Sequence, residues 1–207
     1  MATVYVKADI RRRQLVTAAR RVLARQGLAG STLRAVAAEA GVALGTVHYA
    51  FPSKEQLLRA VLEDVVEDIS TVLRESSATS TDLESGILAA ARTVWSTVVE
   101  GEPDEHLMQY ELSIWALRTA GMADLARWQY DRYLDLITTH WQQVAARVGV
   151  TLSVPAEQLA RLQLAGADGL LLQHLVSRDA RRSMSDQETL VRQLVRYADP
   201  QPIARER

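Results

Sequence analysis

The sequence predicts an all-α protein of about nine helices. Through most of its 207 residues, apolar side chains recur three and four positions apart, which is the spacing of one face of a helix. Capping motifs, glycines and prolines separate these stretches, and no candidate strand is longer than residues 150–154. The expected architecture is a three-helix, helix-turn-helix head followed by a C-terminal helical bundle.

The first three helices make up the predicted head. The first is expected over Asp9–Gln26 and stops at Gly27. The second ends at Gly41, a residue that tolerates the positive φ of a tight turn. The third is short and turns only Val47 and Phe51 inward, so small and polar residues stay outside. This pattern is typical of proteins that place one short helix in the DNA major groove. The apolar stripes of the first two helices are Leu15, Ala18, Ala19 and Val22, and Leu33, Val36, Ala37 and Ala40.

A fourth helix connects the head to the body of the chain. Residues Ser53–Gln56 form a capping box that opens this helix, and its apolar face continues to about Glu75. The polar stretch Ser76–Ser80 is the predicted linker. The expected domain organisation is a helix-turn-helix domain over residues 1–52, a connecting helix over 53–75 and a C-terminal helical domain over 76–207.

The body is expected to hold five further helices. A capping box at Thr81–Glu84 opens the fifth helix, which runs to about Glu100, and a box at Ser185–Glu188 opens the ninth. Glycine and proline breaks delimit the sixth, seventh and eighth helices. These three are expected over about Asp104–Thr119, Met122–Val148 and Pro155–Arg178.

The charge is distributed unevenly along the chain. Residues 1–55 carry nine Lys or Arg against three acidic residues, a net charge of +6. The whole chain carries −1, so the remainder carries −7. A basic head on an acidic body is typical of proteins that bind a polyanion such as DNA through one end.

Composition excludes several kinds of site and several classes of protein. Cysteine is absent, which excludes disulfides and thiolate metal sites. No apolar run approaches 18 residues and no signal-peptide core follows the N-terminus, so no membrane partner is expected and the cytoplasm is the expected compartment. Neither a metal nor a cofactor is expected.

One segment resembles a known family. The sequence Gly41–Leu58, GVALGTVHYAFPSKEQLL, resembles the recognition-helix signature of the tetracycline-repressor (TetR-like) family of bacterial transcriptional regulators, and the likeness covers residues 10–62. Three positions depart from the usual pattern. Ala43 replaces a serine, so this helix loses a side-chain N-cap that contributes roughly 1 kcal/mol. His48 replaces a tyrosine, and Ala50 replaces a histidine or other polar residue.

The resemblance implies a ligand-responsive DNA-binding regulator, most simply a repressor on a palindromic operator. Leu44 is expected to meet a thymine methyl group, because an apolar side chain cannot donate to guanine. The other expected contacts divide between phosphates and base edges. Phosphate contacts are expected from Thr32, His48, Tyr49 and Lys54, and base-edge contacts from Arg34, Leu44, Gly45 and Thr46.

The resemblance also implies an effector pocket among the fifth to eighth helices, for a small and largely apolar molecule. Large rings interspersed with a few polar groups suit such a pocket, although each residue could equally belong to an ordinary core. A buried Glu111 or Asp168 would favour a cationic or hydroxyl-bearing ligand. A ligand there is expected to move the fourth helix. The candidate ligand-binding residues are Trp95, Tyr110, Glu111, Trp115, Tyr133, His140, Trp141, Leu171 and His174.

The last two helices are expected to form a homodimer interface, as the resemblance implies. The eighth helix carries small residues three and four positions apart, where a second backbone could approach, although internal packing would explain them too. A dimer also suits DNA reading, since one recognition helix contacts too few base pairs for selectivity. The candidate interface residues are Leu159, Leu162, Gly166, Gly169, Leu170, Gln173, Leu190 and Leu194.

Two other classes of protein remain as alternatives. The departures at Ala43, His48 and Ala50 leave open a helical ligand-binding or sequestering protein that does not bind an operator. An enzyme using the histidines and carboxylates of the bundle is the other alternative. The body shows no paired-histidine metal motif and no glycine-rich phosphate loop, so the chain is not expected to be an enzyme.

Overall fold

The computed structural model describes residues 2–76, 81–101 and 103–203, and within them the prediction of an all-α fold with nine helices is confirmed. Two short strands add a single antiparallel pairing, Val150 with Pro202 and Thr151 with Gln201. The helices are α1 (Ala2–Gly30), α2 (Leu33–Glu39), α3 (Leu44–Ala50), α4 (Lys54–Ser76), α5 (Leu83–Glu100), α6 (Pro103–Arg118), α7 (Ala123–Val148), α8 (Ala156–Ser177) and α9 (Ala180–Ala198), and the strands are β1 (Val150–Thr151) and β2 (Gln201–Pro202).

The described chain divides into two compact units. The first comprises the described residues of Met1–Val66 and Glu102–Gln129. The second comprises those of Glu67–Gly101 and Tyr130–Arg207. Helices α4 and α7 therefore each contribute residues to both units. The predicted linker at Ser76–Ser80 lies mostly outside the described residues.

The first unit holds the head and α6. Helices α1, α2 and α3 pack against one another, and α6 packs along α1. Val47 and Phe51 are fully buried, as the inward face of the third helix predicts. The apolar stripes of the first two helices supply much of the remaining core. Its largest fully buried side chains include Leu15, Leu23, Leu58, Leu62, Leu112 and Leu125.

The second unit is built on α9, which packs against α5 and α8. Helix α9 is amphipathic and buries one continuous face, because its apolar residues recur at helical spacing. The core formed by this face and its neighbours includes six fully buried residues, which are Ile87, Trp141, Val144, Leu159, Val191 and Ala198.

Three helix starts differ from the sequence prediction. Helix α1 begins before Asp9, at Ala2, and is interrupted at Gly27. The capping box of α5 is formed by Asp82 and Ser85, one position after the predicted one, because the aspartate is also a strong N-cap.

Helix α9 also begins earlier than predicted, since Asp179 caps it by accepting from Arg182 N. The predicted box at Ser185–Glu188 is wrong, because this segment already lies inside the helix. Glu188 instead accepts hydrogen bonds from Arg92 and Arg192, at 2.7 and 2.8 Å.

None of the helices in the described segments is long and apolar enough to cross a bilayer.

Candidate DNA-binding and effector-binding sites

The outer face of α3 is small and open. Tyr49 is 90% exposed, and His48 is exposed beside it. A Cβ atom added at Gly45 would meet nothing within 4 Å, so this face could approach another surface closely. Leu44 and Thr46 are half-buried. The N-cap residue Ala43 makes no side-chain capping bond, as the departure from the family pattern predicts.

Two of the predicted phosphate-binding residues also serve the head itself. Thr32 is the N-cap of α2, and its hydroxyl accepts from Ala35 N at 3.1 Å. The Lys54 ammonium donates to the Leu28 carbonyl at 2.9 Å, and Ser31 Oγ donates to the same oxygen. Burial lowers the pKa of Lys54. Lys54 therefore ties the start of α4 to the turn that follows Gly27.

Helix α1 supports both C-terminal ends of the helix-turn-helix. Arg12 donates to the Ala50 carbonyl at the end of α3, and its guanidinium lies 4.3 Å from the ring centre of Phe51, a cation–π contact. Gln14 donates to the Ala40 carbonyl at the end of α2, at 3.1 Å. Neither role could be predicted from the sequence, because a polar residue outside an apolar stripe does not indicate its partner.

Part of the positive charge of the head is used internally. Arg20 pairs with Asp64 at 2.7 Å, and Arg25 and Arg21 both approach Glu39. Arg13 and Arg34 are exposed, and neither pairs with an acidic side chain of the described residues. Both cations are available to an external anion.

Glu111, a predicted effector ligand, instead contacts the head. Its Oε2 accepts from Leu28 N at 3.0 Å. A Cβ atom at Gly27 would lie 3.2 Å from this oxygen. Tyr110 and Trp115 are half-buried in the same unit, and Trp115 packs against its core. The backbone of Leu28 is therefore held from α6 at its nitrogen and from α4 at its carbonyl oxygen.

The other predicted effector residues lie in the second unit, where several belong to the core. Trp95 Nε1 donates to Ser183 Oγ at 3.0 Å, and Trp141 Nε1 donates to Gln163 Oε1 at 2.7 Å. Both indoles are buried with their only donor already bound. They stabilise the packing of the bundle, which leaves the partly exposed members of the predicted set as the stronger candidates for ligand contact.

The two predicted histidines of this unit are buried as well. His140 is 4% exposed, and burial lowers its pKa. His174 is 6% exposed and lines a surface groove of about 420 Å³ between α8 and the start of α9. Leu170 and Gln173, predicted for the dimer interface, line the same groove.

A carboxylate and two aromatic rings meet between α7 and α8. Tyr130 donates its hydroxyl to Asp168 Oδ2 at 3.0 Å. The rings of Tyr130 and Tyr133 meet edge to face, with centroids 6.2 Å apart and planes at 69°. Tyr133 and Asp168 are half-buried. Burial raises the pKa of Asp168, and burial together with the Asp168 charge raises the pKa of Tyr130 to about 12. Tyr130 was not among the predicted site residues.

The predicted dimer residues divide between interior and surface. Leu159 and Leu194 are buried within their own subunit. Gly166 lies against Leu190, because a Cβ there would come within 2.5 Å of a Leu190 methyl group. The outer face of α8 remains open and apolar. This face consists of Leu162, Ala165, Gly169, Leu172 and Val176.

Comparison with known proteins agrees with this architecture. Residues 15–61 match the family model "Bacterial regulatory proteins, tetR family". The chain is 30% identical over 164 residues to the HTH-type nicotine-responsive transcriptional repressor HdnoR of Paenarthrobacter nicotinovorans, covering 79% of this chain and 83% of that protein.

Solved structures show the same fold. A transcriptional regulator from Rhodococcus sp. Rha1 superposes with a TM-score of 0.74 at 22% identity, covering 92% of this chain and 99% of that one. The multidrug binding protein EbrR, solved with ethidium, superposes with a TM-score of 0.63 at 26% identity, covering 87% and 98%. The similar curated proteins are named as transcriptional regulators, in agreement with the expectation that the chain is not an enzyme. With its helix-turn-helix head, its nine-helix fold and its extended similarity to HdnoR, this chain belongs to the TetR family of bacterial transcriptional regulators.

Proposed function

We propose that the protein is a homodimeric repressor that binds a palindromic operator and is released from it by a small effector. The single observation that best supports operator binding is the outer face of α3, with its fully open Gly45 and its 90% exposed Tyr49. A helix that lies in the major groove needs a surface that can approach the DNA closely and side chains that extend far enough to contact it.

The residues of the proposed DNA-binding surface fall into two groups, those that contact base edges and those that contact phosphates. Leu44, Gly45 and Thr46 would face base edges, and Tyr49 and His48 would contact phosphates. Arg34 on α2 can add a further contact, because its guanidinium is exposed. For Thr32 and Lys54, which hold the head together through their own hydrogen bonds, we propose that phosphate contact is a secondary role.

The proposed dimer uses the outer face of α8. Its five small and apolar residues share one helical face, since they are spaced by three or four positions. Two copies related by a two-fold axis would bury this face against itself, over at least about 1,000 Å². Leu170 and Gln173 lie beside it on the groove, and Leu190 would contribute from behind through its packing on Gly166.

The proposed effector site lies in the second unit, along α7 and α8. HdnoR is named for its response to nicotine and EbrR was solved with ethidium, and both molecules are aromatic nitrogen compounds. We propose an effector of similar size and character for this chain. Its binding would shift α4, whose first residue, Lys54, donates a hydrogen bond to the Leu28 carbonyl. This shift would change the spacing of the two recognition helices. DNA and effector would then weaken each other's binding by the same factor.

Operator binding can be tested with one small substitution. Gly45→Ala adds a methyl group in open space, so the free protein should fold normally and gain up to about 1 kcal/mol of stability, since alanine is the better helix former. The same methyl group should block close approach to DNA. We expect affinity for the promoter DNA upstream of the gene, measured by fluorescence anisotropy, to fall at least about tenfold, the effect of one lost base contact.

The matched control is Gln142→Ala, an exposed change on α7 that should leave DNA affinity unaltered. Wild-type protein should prefer the upstream duplex to a scrambled duplex by about 10³-fold or more. Equal affinity for both duplexes, or a Gly45→Ala protein that binds as tightly as wild type, would contradict the proposed contact between α3 and DNA.

A further inference from the structure

We propose that Asp168, Tyr130 and Tyr133 form a recognition site for an organic cation, either a protonated amine or a quaternary ammonium group. All three residues belong to the second unit, the tyrosines on α7 and the aspartate on α8. The inference rests on the proposed function, because it assigns a chemical class to the effector that such a regulator requires.

The cluster consists of two aromatic rings beside a carboxylate group. The two tyrosine rings pack edge to face, at 69° to each other with centroids 6.2 Å apart, so a group lying in the corner that they form could contact both rings. The Tyr130 hydroxyl, 3.0 Å from Asp168 Oδ2, holds the carboxylate beside the rings. Cations are attracted both to aromatic faces and to carboxylates, so both parts of the cluster favour the same sign of charge.

The environment of Asp168 strengthens this preference. The residue is half-buried, and burial raises its pKa because the surroundings disfavour a negative charge. A bound cation would stabilise that charge at short range in a partly desolvated site, where the attraction exceeds its value in water. Anionic ligands such as carboxylates and phosphates would be repelled by the same group.

The neighbouring helix surfaces are incompletely filled. Farther along the same two helices, Trp141 and Leu159 are fully buried. Within four residues of Tyr133 or Asp168 along the chain, by contrast, four apolar side chains are only partly buried, and an apolar part of a ligand could cover their exposed portions. These side chains are Leu134 and Ile137 on α7, and Leu164 and Leu171 on α8.

The experiment compares two probes of the same shape that differ in charge. Trimethylanilinium is a permanent cation, and tert-butylbenzene is its neutral hydrocarbon counterpart. Binding of each to the full-length protein without DNA would be measured by NMR titration, with the cation at up to millimolar concentration and the hydrocarbon up to its limit of solubility in water. We expect the cation to bind at least about tenfold more tightly than the hydrocarbon, a difference in keeping with cation–π attraction combined with a desolvated carboxylate.

Three variants assign the effect to the cluster. Asp168→Asn keeps the shape of the side chain and its acceptor for Tyr130, and should lower cation affinity roughly tenfold without changing hydrocarbon affinity. Tyr133→Leu keeps apolar bulk but removes a π face, and should weaken the cation severalfold. Asp131→Asn, an exposed change on the same helix, is the matched control and should bind the cation as wild type does.

Two results would overturn the cation site. One is a wild-type protein that fails to bind trimethylanilinium at millimolar concentration, and the other is an Asp168→Asn protein that binds it as tightly as wild type. If the first result were accompanied by tight binding of tert-butylbenzene, the cation site would be overturned while an apolar effector would remain. Because the titration contains no DNA, its failure is distinguishable from a failure of operator binding.

Discussion

At the scale of single residues, the proposed cation site implies a conflict between stability and binding at Asp168. A half-buried carboxylate whose pKa is raised by burial makes the free protein less stable at neutral pH than a neutral group in the same place. Functional sites commonly retain such unfavourable groups because a ligand later satisfies them. The hydrogen bond from Tyr130 offsets part of this cost.

This conflict predicts how stability depends on pH. The folded-state pKa of Asp168 is raised, so its protonated form is favoured by folding. That contribution is complete below the ordinary carboxyl pKa of 3.8 and is lost as pH rises through the raised value. Asp168→Asn should therefore melt at a higher temperature than wild type at pH 7, and the difference should shrink as the pH is lowered toward 4.

Thermal unfolding followed by circular dichroism over this pH range is the measurement. Asp131→Asn removes the same charge from an exposed position, and shows the effect of net charge alone. A wild-type protein that melts at or above the Asp168→Asn temperature at pH 7 would show that the carboxylate is not destabilising.

At the scale of elements, the junction between α1 and α2 is held by two other helices. Leu28 N donates to Glu111 of α6, and Leu28 O accepts from Lys54 of α4. The preceding Gly27 has φ 64° and ψ −179°, a region essentially restricted to glycine. The backbone of Leu28 therefore links the start of the recognition motif to α4 and α6 within one unit.

Gly27→Ala is expected to lower the free energy of unfolding by about 1–3 kcal/mol, the strain of a side chain in this backbone region. The added Cβ would also lie 3.2 Å from Glu111 Oε2 and weaken the contact to Leu28. Urea denaturation provides the measurement. Gly45→Ala is the matched control, since that glycine is helical and its Cβ meets open space. If both alanine variants were equally stable, neither strain nor crowding at Gly27 would be significant.

At the scale of the whole molecule, the proposed assembly of two copies depends on the outer face of α8. Leu172 is 56% exposed and Val176 is 82% exposed, an unusual exposure for neighbouring apolar residues on one face. A two-fold dimer would remove this surface from water and supply two recognition helices for one palindromic site.

Gly169→Arg tests this assembly. No atom lies within 4 Å of a Cβ at this position, so the arginine fits its own subunit but would place a charge in the middle of the proposed interface. We expect light scattering to show monomers at micromolar concentration and operator affinity to fall by about 10²-fold or more, because each monomer reads only half of the site. Ala146→Arg, on an exposed position of α7, should remain dimeric. A monomeric wild-type protein would contradict the dimer directly.

The sequence by itself determined the fold class, the helix-turn-helix and the family. These follow from local signals: apolar spacing along each helix, capping residues and the contiguous motif Gly41–Leu58. Such signals involve residues within a few turns of one another, so they can be recognised without knowing the rest of the fold. The bounds of α4, α6, α7 and α8 were predicted to within one or two residues for the same reason.

The tertiary structure decided which distant side chains meet. Glu111 of α6 contacts Leu28 of the head, and Arg12 caps a helix 38 residues away, and neither contact was predicted. Trp95 and Trp141 were candidate pocket residues, yet their indole donors are bound to partners on other helices. Periodicity shows that a residue faces inward or outward, whereas the choice of partner depends on how separate helices pack, and that packing is set by the whole chain at once.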